Sequence, residues 1–359
     1  LMLGACHGCV QLSLLDRGRH PQAMCMDGTM GGYHAAINRS STKWVIDLQG
    51  GGECASQAGC DSHRGTQYSS SKYFKKCIDL GHFCTDDDTN PKLRYFNRVF
   101  LPYCSQDLWT GTRTTNGKDT FGYYFAGHTI LEAVLDELDS AGLTNATDII
   151  LTGESAGGIG VWPNVDWIAE RYPRARVVAA PIAGFYFFAY PYDGPQHTSS
   201  GLVDFREAAW PSHYNLWGSF VDKTCAAAIE PWRCVLANNS FPYIQSEAFI
   251  VEAQTDKVVL LYHDWIPNQD PNWSKDVQRY FESWHYNMTI ALAPSMNVDS
   301  KNGVFNPACF IHTKFSASGP FLDGKNYLQA FQEWFFGEGE VKIKLQDSCG
   351  ILCNPSCAH

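Results

Sequence analysis

The stretch Asp148-Ile149-Ile150-Leu151-Thr152-Gly153-Glu154-Ser155-Ala156-Gly157-Gly158 decides how this chain reads. An apolar run of strand length ends at a serine flanked by glycines, and a helical pattern begins behind it. Gly153 to Gly157 fits G-x-S-x-G, the turn that lifts a nucleophilic serine off the end of a strand. The backbone at such a serine is strained, and glycine on either side relieves the crowding. The helix that follows points its first N–H groups at the reaction site, where they can stabilise a developing oxyanion. A serine in an ordinary tight turn also fits the pentapeptide alone. The strand before it and the helix after it select the elbow.

Upstream, Trp44-Val45-Ile46-Asp47-Leu48 is another apolar run, stopping at Gly50-Gly51-Gly52. It reads as a buried strand ending in a glycine loop. A serine elbow needs a further oxyanion donor from a neighbouring loop, and glycine lets backbone N–H groups approach substrate closely. A strand is expected over 98–104. Ile130, Leu131, Val134, Leu135 and Leu138 recur at helical spacing and Gly142 closes them, so a helix is expected over about 124–141. Val177–Pro181 and Ala248–Ala253 read as further strands, and 274–291 as a helix. Strand, glycine turn and helix alternate across 43–181. The expected fold is therefore α/β and α/β-hydrolase-like, with a mostly parallel central sheet and flanking helices. The stretch 190–245 is aromatic and aperiodic, and is expected to form an irregular cap or lid segment. No repeat or long linker interrupts the chain, so residues 1–359 read as a single domain.

In such a fold the acid and the histidine follow the serine in that order. Asp256 stands just past the strand ending at Ala253, the usual place for the acid. Four histidines lie beyond the cap: His263, His285, His312 and His359. His263 is close in sequence to Asp256, His285 sits within a helical pattern, and His359 is terminal. His312 follows Pro307-Ala308-Cys309-Phe310-Ile311, a cysteine-tethered loop, and is the best placed. A packed or surface histidine fits the same spacing.

The 27 Lys+Arg against 37 Asp+Glu leave a formal net charge of −10, which implies no broad basic surface for nucleic acid. Hydrophobic residues at 45% and charged residues at 18% argue for a sizeable core. The longest apolar run, Val177 to Tyr190, falls short of the roughly 18 residues of a membrane span. Fourteen cysteines, an even number, point to a disulfide framework made in an oxidising compartment. Glycosylation sequons begin at Asn38, Asn145, Asn238, Asn272 and Asn287, and with the cysteines they favour a secreted chain. Leu1-Met2-Leu3-Gly4-Ala5 has no initiator Met and reads as a chain whose targeting segment is missing. Cys6-His7-Gly8-Cys9 and the pair Cys353 and Cys357 have spacings that could hold zinc, but disulfides are expected there. Asp86-Asp87-Asp88 lacks the glycine and spaced ligands of a calcium loop and reads as a solvated face. No metal and no cofactor is expected.

Several motifs together carry a resemblance. They are Cys25-Met26-Asp27-Gly28 with Gly32-Tyr33-His34, then Leu48-Gln49-Gly50-Gly51-Gly52-Glu53-Cys54, and Asn97-Arg98-Val99 with Tyr103-Cys104. Thr152 to Gly158, Pro307 to His312, and Cys353-Asn354-Pro355-Ser356-Cys357 complete the series. The chain resembles the pectin acetylesterase and Notum family of secreted carboxylesterases, with the motifs in the family's order from residue 25 to 357. The resemblance implies Ser155 as nucleophile, His312 as base and Asp256 as its orienter. It places the oxyanion donors on Gly51, Gly52 and Ala156, in an acyl-enzyme mechanism that needs no cofactor.

There are departures from the family pattern. Glu53 stands where the pectin acetylesterases carry an aromatic residue, and Glu154 where they carry a small one. Pro181-Ile182-Ala183-Gly184 lacks the aspartate usual before Ala-Gly. These changes are expected around the acyl pocket and bear on substrate rather than reaction. Ala308-Cys309-Phe310 and Gly32-Tyr33-His34 look more like the polysaccharide branch, which removes acetyl groups. The expectation is a monomeric O-acetylesterase acting on an acylated polysaccharide. Notum-like removal of a longer acyl chain from a protein or lipid is the alternative. A non-catalytic glycan-binding protein on the same fold is a third reading. Trp109, Trp162, Trp210 and Trp217 either meet the substrate or pack the core. Cysteines inside the motifs imply bridges that pin the loops carrying the chemistry.

Overall fold

Trp44, Ile46 and Leu48 face one side of their strand and Val45 the other, and all four are buried. A strand covered on both faces belongs inside a parallel sheet. The computed structural model describes residues 9–80, 90, 92–199, 202–203, 205–268, 272–337 and 341–357. Its strands are β1 (Val10–Leu14), β2 (Gly32–Ala36), β3 (Lys43–Leu48), β4 (Cys77–Ile78), β5 (Asn97–Leu101) and β6 (Asp148–Glu154). They continue with β7 (Arg176–Ile182), β8 (Glu247–Val251), β9 (Thr255–Asp256), β10 (Gly303–Asn306), β11 (Phe310–Ile311) and β12 (Lys344–Gln346). Ten of them form one sheet in the order β12-β10-β8-β7-β6-β3-β5-β2-β1-β4. From β12 to β5 every pairing is parallel, while β2, β1 and β4 add an antiparallel edge. The expected mostly parallel α/β sheet is the observed one.

Helices cover both faces. They are α1 (Gln57–Ser62), α2 (Gly127–Asp139), α3 (Ala156–Arg171), α4 (Trp210–Trp217), α5 (Lys223–Ala228), α6 (Ala237–Ser240), α7 (Lys275–Met296) and α8 (Tyr327–Phe336). The buried side chains of α2, α3 and α7 share a core with Trp44, Ile46 and Leu48, and those of α8 share one with Val45. On α7, Val277, Phe281, Trp284, Met288 and Leu292 are buried at three- and four-residue steps, the stripe that fixes which face packs inward. Ser274 starts that helix by accepting the Val277 N–H.

In the segment 190–245 the described residues before Glu207 form no helix or strand, and α4, α5 and α6 follow with short 3-10 turns. Helices of four to eight residues are too short to display a 3.6-residue repeat in the sequence. Of the two readings of Trp109, Trp162, Trp210 and Trp217, core packing is the observed one: all four are fully buried. The disulfides are Cys9–Cys77, Cys25–Cys104, Cys54–Cys60, Cys225–Cys234, Cys309–Cys357 and Cys349–Cys353. Cys353, Cys357 and Cys9, weighed as zinc ligands, are thus bridged. Cys6, His7, Asp86-Asp87-Asp88 and His359 lie outside the described residues. None of the described helices is long and apolar enough to cross a membrane.

Candidate active site

Ser155 sits between β6 and α3 with φ 56° and ψ −123°, a backbone region that side-chain-bearing residues rarely occupy. Its N–H donates to Ile182 O at 3.0 Å, which ties the turn to the neighbouring strand. Gly157 makes the turn possible, because a Cβ there would overlap Leu48 O. A Cβ on Gly50 would overlap Glu154 O, so glycine lets the loop after β3 lie against the serine turn.

That loop is held on both sides. Trp109 Nε1–H donates to Gln49 O and Trp217 Nε1–H to Cys54 O, each at 2.9 Å. Gln106 Nε2–H reaches Gly51 O at 3.1 Å, and the Cys54–Cys60 bridge fixes the far end. The two tryptophans therefore support the glycine loop from within the core.

Asp256 and His312 are brought together by a two-stranded parallel pairing outside the main sheet. β9 and β11 align Phe310 with Thr255 and Ile311 with Asp256, so the residue after Ile311 lands beside the aspartate. Thr255 Oγ1–H donates to Cys309 O at 2.8 Å, and Cys309–Cys357 tethers the strand to the C-terminal segment. His312 Nδ1–H donates to Asp256 Oδ2 at 2.7 Å. Asp256 is fully buried, and its Oδ1 accepts the N–H groups of Val258 and Val259 at 2.9 Å each. With Nδ1 acting as donor, Nε2 of the neutral ring is the basic nitrogen. That atom is buried and has no hydrogen-bond partner among the described residues.

Ser155, Ala156, Gly51, Gly52 and His312 line one cavity of about 340 Å³. The remaining wall is Ile159, Leu202, Phe205, Val258, Val259 and Tyr262, with Glu53, Tyr186 and His263 as its further polar members. The sequence-derived serine, histidine and backbone donors thus converge, with Asp256 directly behind the histidine. His263 joins the same wall, where its Nδ1–H donates to Val203 O at 2.5 Å and lies 3.8 Å from Glu53 Oε1. Its closeness in sequence to Asp256 sets it aside as a base, yet it ends a π-helical turn over Val259–His263 and reaches the same cavity. His285 lies on α7, away from this cavity. Glu53 is buried, accepts the Val203 N–H at 3.3 Å, and has its pKa pushed up to about 8 by that burial.

The other departures do not surround this cavity. Glu154 and Ile182 line a larger one of about 580 Å³, with Asp47, His34 and Tyr327. Successive residues of a strand point to opposite faces, so Glu154 turns away from the side that Ser155 faces. The larger cavity is lined by none of the three sequence-derived triad residues.

A serine at a strained turn, a glycine loop and a histidine–carboxylate pair meeting at one cavity can carry out acyl transfer. With the mostly parallel sheet, they define an α/β-hydrolase-like carboxylic ester hydrolase. The sequence pattern of the pectinacetylesterase family matches residues 5–358, and the chain belongs to that family. Pectin acetylesterase 5 of Arabidopsis thaliana is 27% identical over 97% of this chain and 84% of its own length. Palmitoleoyl-protein carboxylesterase notum1a of Danio rerio is 31% identical over 93% of this chain and 70% of its own. In fold, the chain is similar to the Wnt deacylase Notum from Drosophila, with a TM-score of 0.84 at 24% identity, covering 98% of this chain and 100% of that one.

Proposed function

We propose that the chain is a secreted serine carboxylesterase that removes O-acetyl groups from an extracellular polysaccharide. His312 Nε2 takes the proton from Ser155 Oγ as the oxygen attacks the ester carbonyl, and Asp256 holds the ring tautomer. The oxyanion accepts from the N–H groups of Gly51, Gly52 and Ala156, each donor worth about 2.7–4 kcal/mol in the transition state. His312 then returns the proton to the leaving sugar oxygen. Water, deprotonated by the same nitrogen, releases acetate. No step needs a metal or cofactor, and one copy of the chain holds every residue used, consistent with a monomer. Secretion is supported by the disulfides and by the exposure of Asn145, Asn238, Asn272 and Asn287, four of the sequon asparagines.

The observation that carries the short-acyl reading is the buried Glu53–His263 pair in the cavity wall. The pair gives that wall polar groups with which a long aliphatic chain can form no hydrogen bond. The aliphatic and aromatic remainder of the wall favours a second reading, a longer acyl chain on a protein or lipid. A series of p-nitrophenyl esters from acetyl to octanoyl and beyond separates the two. The acetyl ester is expected to have the highest kcat/KM, and a preference for about eight carbons or more overturns the acetylesterase reading. Ser155→Ala should remove turnover by about 10⁴-fold or more. The absence of any Ser155-dependent turnover would leave glycan binding without catalysis as the better account.

A further inference from the structure

Two buried residues behind Asp256 belong to no motif recognised in the sequence. Tyr186, on the segment leaving β7, is 2% exposed. Its hydroxyl faces two acceptors, Ala183 O at 2.7 Å and Asp256 Oδ2 at 3.0 Å, and stands 3.5 Å from His312 Nδ1. The hydroxyl has one hydrogen to share between them; directed at Asp256 Oδ2 it is that oxygen's second donor beside the His312 ring, while Oδ1 is taken by the two backbone N–H groups. Glu252, just past β8, is fully buried. Its Oε2 accepts the Phe185 N–H at 2.9 Å, and its Oε1 has no hydrogen-bond partner among the described residues. Burial first, and the neighbouring Asp256 second, raise the Glu252 pKa well above its ordinary value. The same two causes, in the same order, keep the Tyr186 hydroxyl protonated.

We propose that Tyr186 is a positioning residue for the Asp256–His312 pair, fixing the carboxylate plane and drawing part of the Oδ2 charge away from the imidazole. The proposal rests on reading Ser155, His312 and Asp256 as a triad. The titratable groups around the hydroxyl are Asp256 on β9, His312 just past β11, Glu252 past β8, and Glu53 on the glycine loop. Tyr262 and His263 line the same cavity, while Lys257 lies over the Phe310 ring. Without the hydroxyl, Oδ2 keeps His312 as its one side-chain donor. Its full charge then favours the protonated ring, which cannot act as a base.

Tyr186→Phe removes the oxygen and keeps the ring. With p-nitrophenyl acetate, the acid limb of its kcat/KM profile is expected to move to higher pH by about one unit, with KM unchanged. Placing 3-fluorotyrosine at position 186 gives a stronger donor of nearly the same shape, and should move the limb to lower pH. A residue that only lines the cavity would change KM and leave the limb in place. An unmoved limb in Tyr186→Phe, or a change confined to KM, overturns the proposal. If that variant does not fold, an unmoved limb in the fluorotyrosine protein does so. Turnover surviving Ser155→Ala would instead sink the triad reading, a separate outcome.

Discussion

Glu53 puts a carboxyl into a wall that is otherwise mostly aliphatic and aromatic, and its protonation has a consequence for stability. Burial pushes its pKa from 4.5 to about 8. Between those values the folded chain holds a proton that the unfolded chain has lost. Stability is therefore fully present below the lower value and falls as pH rises, by up to about 1.4 kcal/mol per unit, until the folded group ionises. Asp107, pushed up to about 6 by burial, adds a loss of the same sign over a lower window. Glu53→Gln keeps the shape and removes the titration. Its melting temperature is expected to fall less than that of the parent between about pH 5 and about pH 8. Thermal melts across that range check this, and parallel curves for the two proteins would show that Glu53 is already ionised in the folded state.

The strands that carry Asp256 and precede His312 are small, lie outside the ten-stranded sheet, and are tethered by a bridge as well as by their own pairing. Cys309–Cys357 closes a separation of 48 residues and Cys54–Cys60 one of 6. In the chain-entropy account these are worth about 4 and about 2 kcal/mol respectively. Replacing Cys309 and Cys357 together by serine should lower the melting temperature more than replacing Cys54 and Cys60. It should also weaken turnover while far-UV circular dichroism stays near the parent, because β11 lies outside the ten-stranded sheet. A variant that keeps full turnover would break the link between that bridge and the site. Element size also decides what the sequence reveals. β3, β6 and β7 are continuous apolar runs buried on both faces, and α7 repeats at helical steps, so each is legible. β9 and β11 are two residues each, too short for any period, although their register brings Asp256 and His312 together. The serine turn could be read because strand, glycines and helix are contiguous. Tyr186 and Glu252 could not, because Tyr186 meets Asp256 across 70 residues of chain and Phe185 meets Glu252 across 67.

At the scale of the whole molecule, the net charge of −10 meets the kind of substrate proposed. A polysaccharide rich in uronic acids is itself an anion, so the long-range field slows encounter instead of steering it. That repulsion is screened by salt: the Debye length is roughly 30 Å at 0.01 M and about 8 Å at 0.15 M. Short-range contacts at the cavity, made inside that distance, are screened much less. For an acetylated acidic polysaccharide, KM is therefore expected to fall as ionic strength rises from about 0.01 to about 0.15 M. Neutral p-nitrophenyl acetate, which feels no net field, should show no such change. Measuring both substrates in the same salt series separates electrostatics from any general effect on the enzyme. A KM that rises with salt for the acidic polymer alone would mean that a local cationic track outweighs the total charge at the mouth of the cavity. Equal curves for both substrates would instead place the polymer's ester-bearing segment beyond the reach of the field, with recognition confined to the acyl group and its immediate sugar.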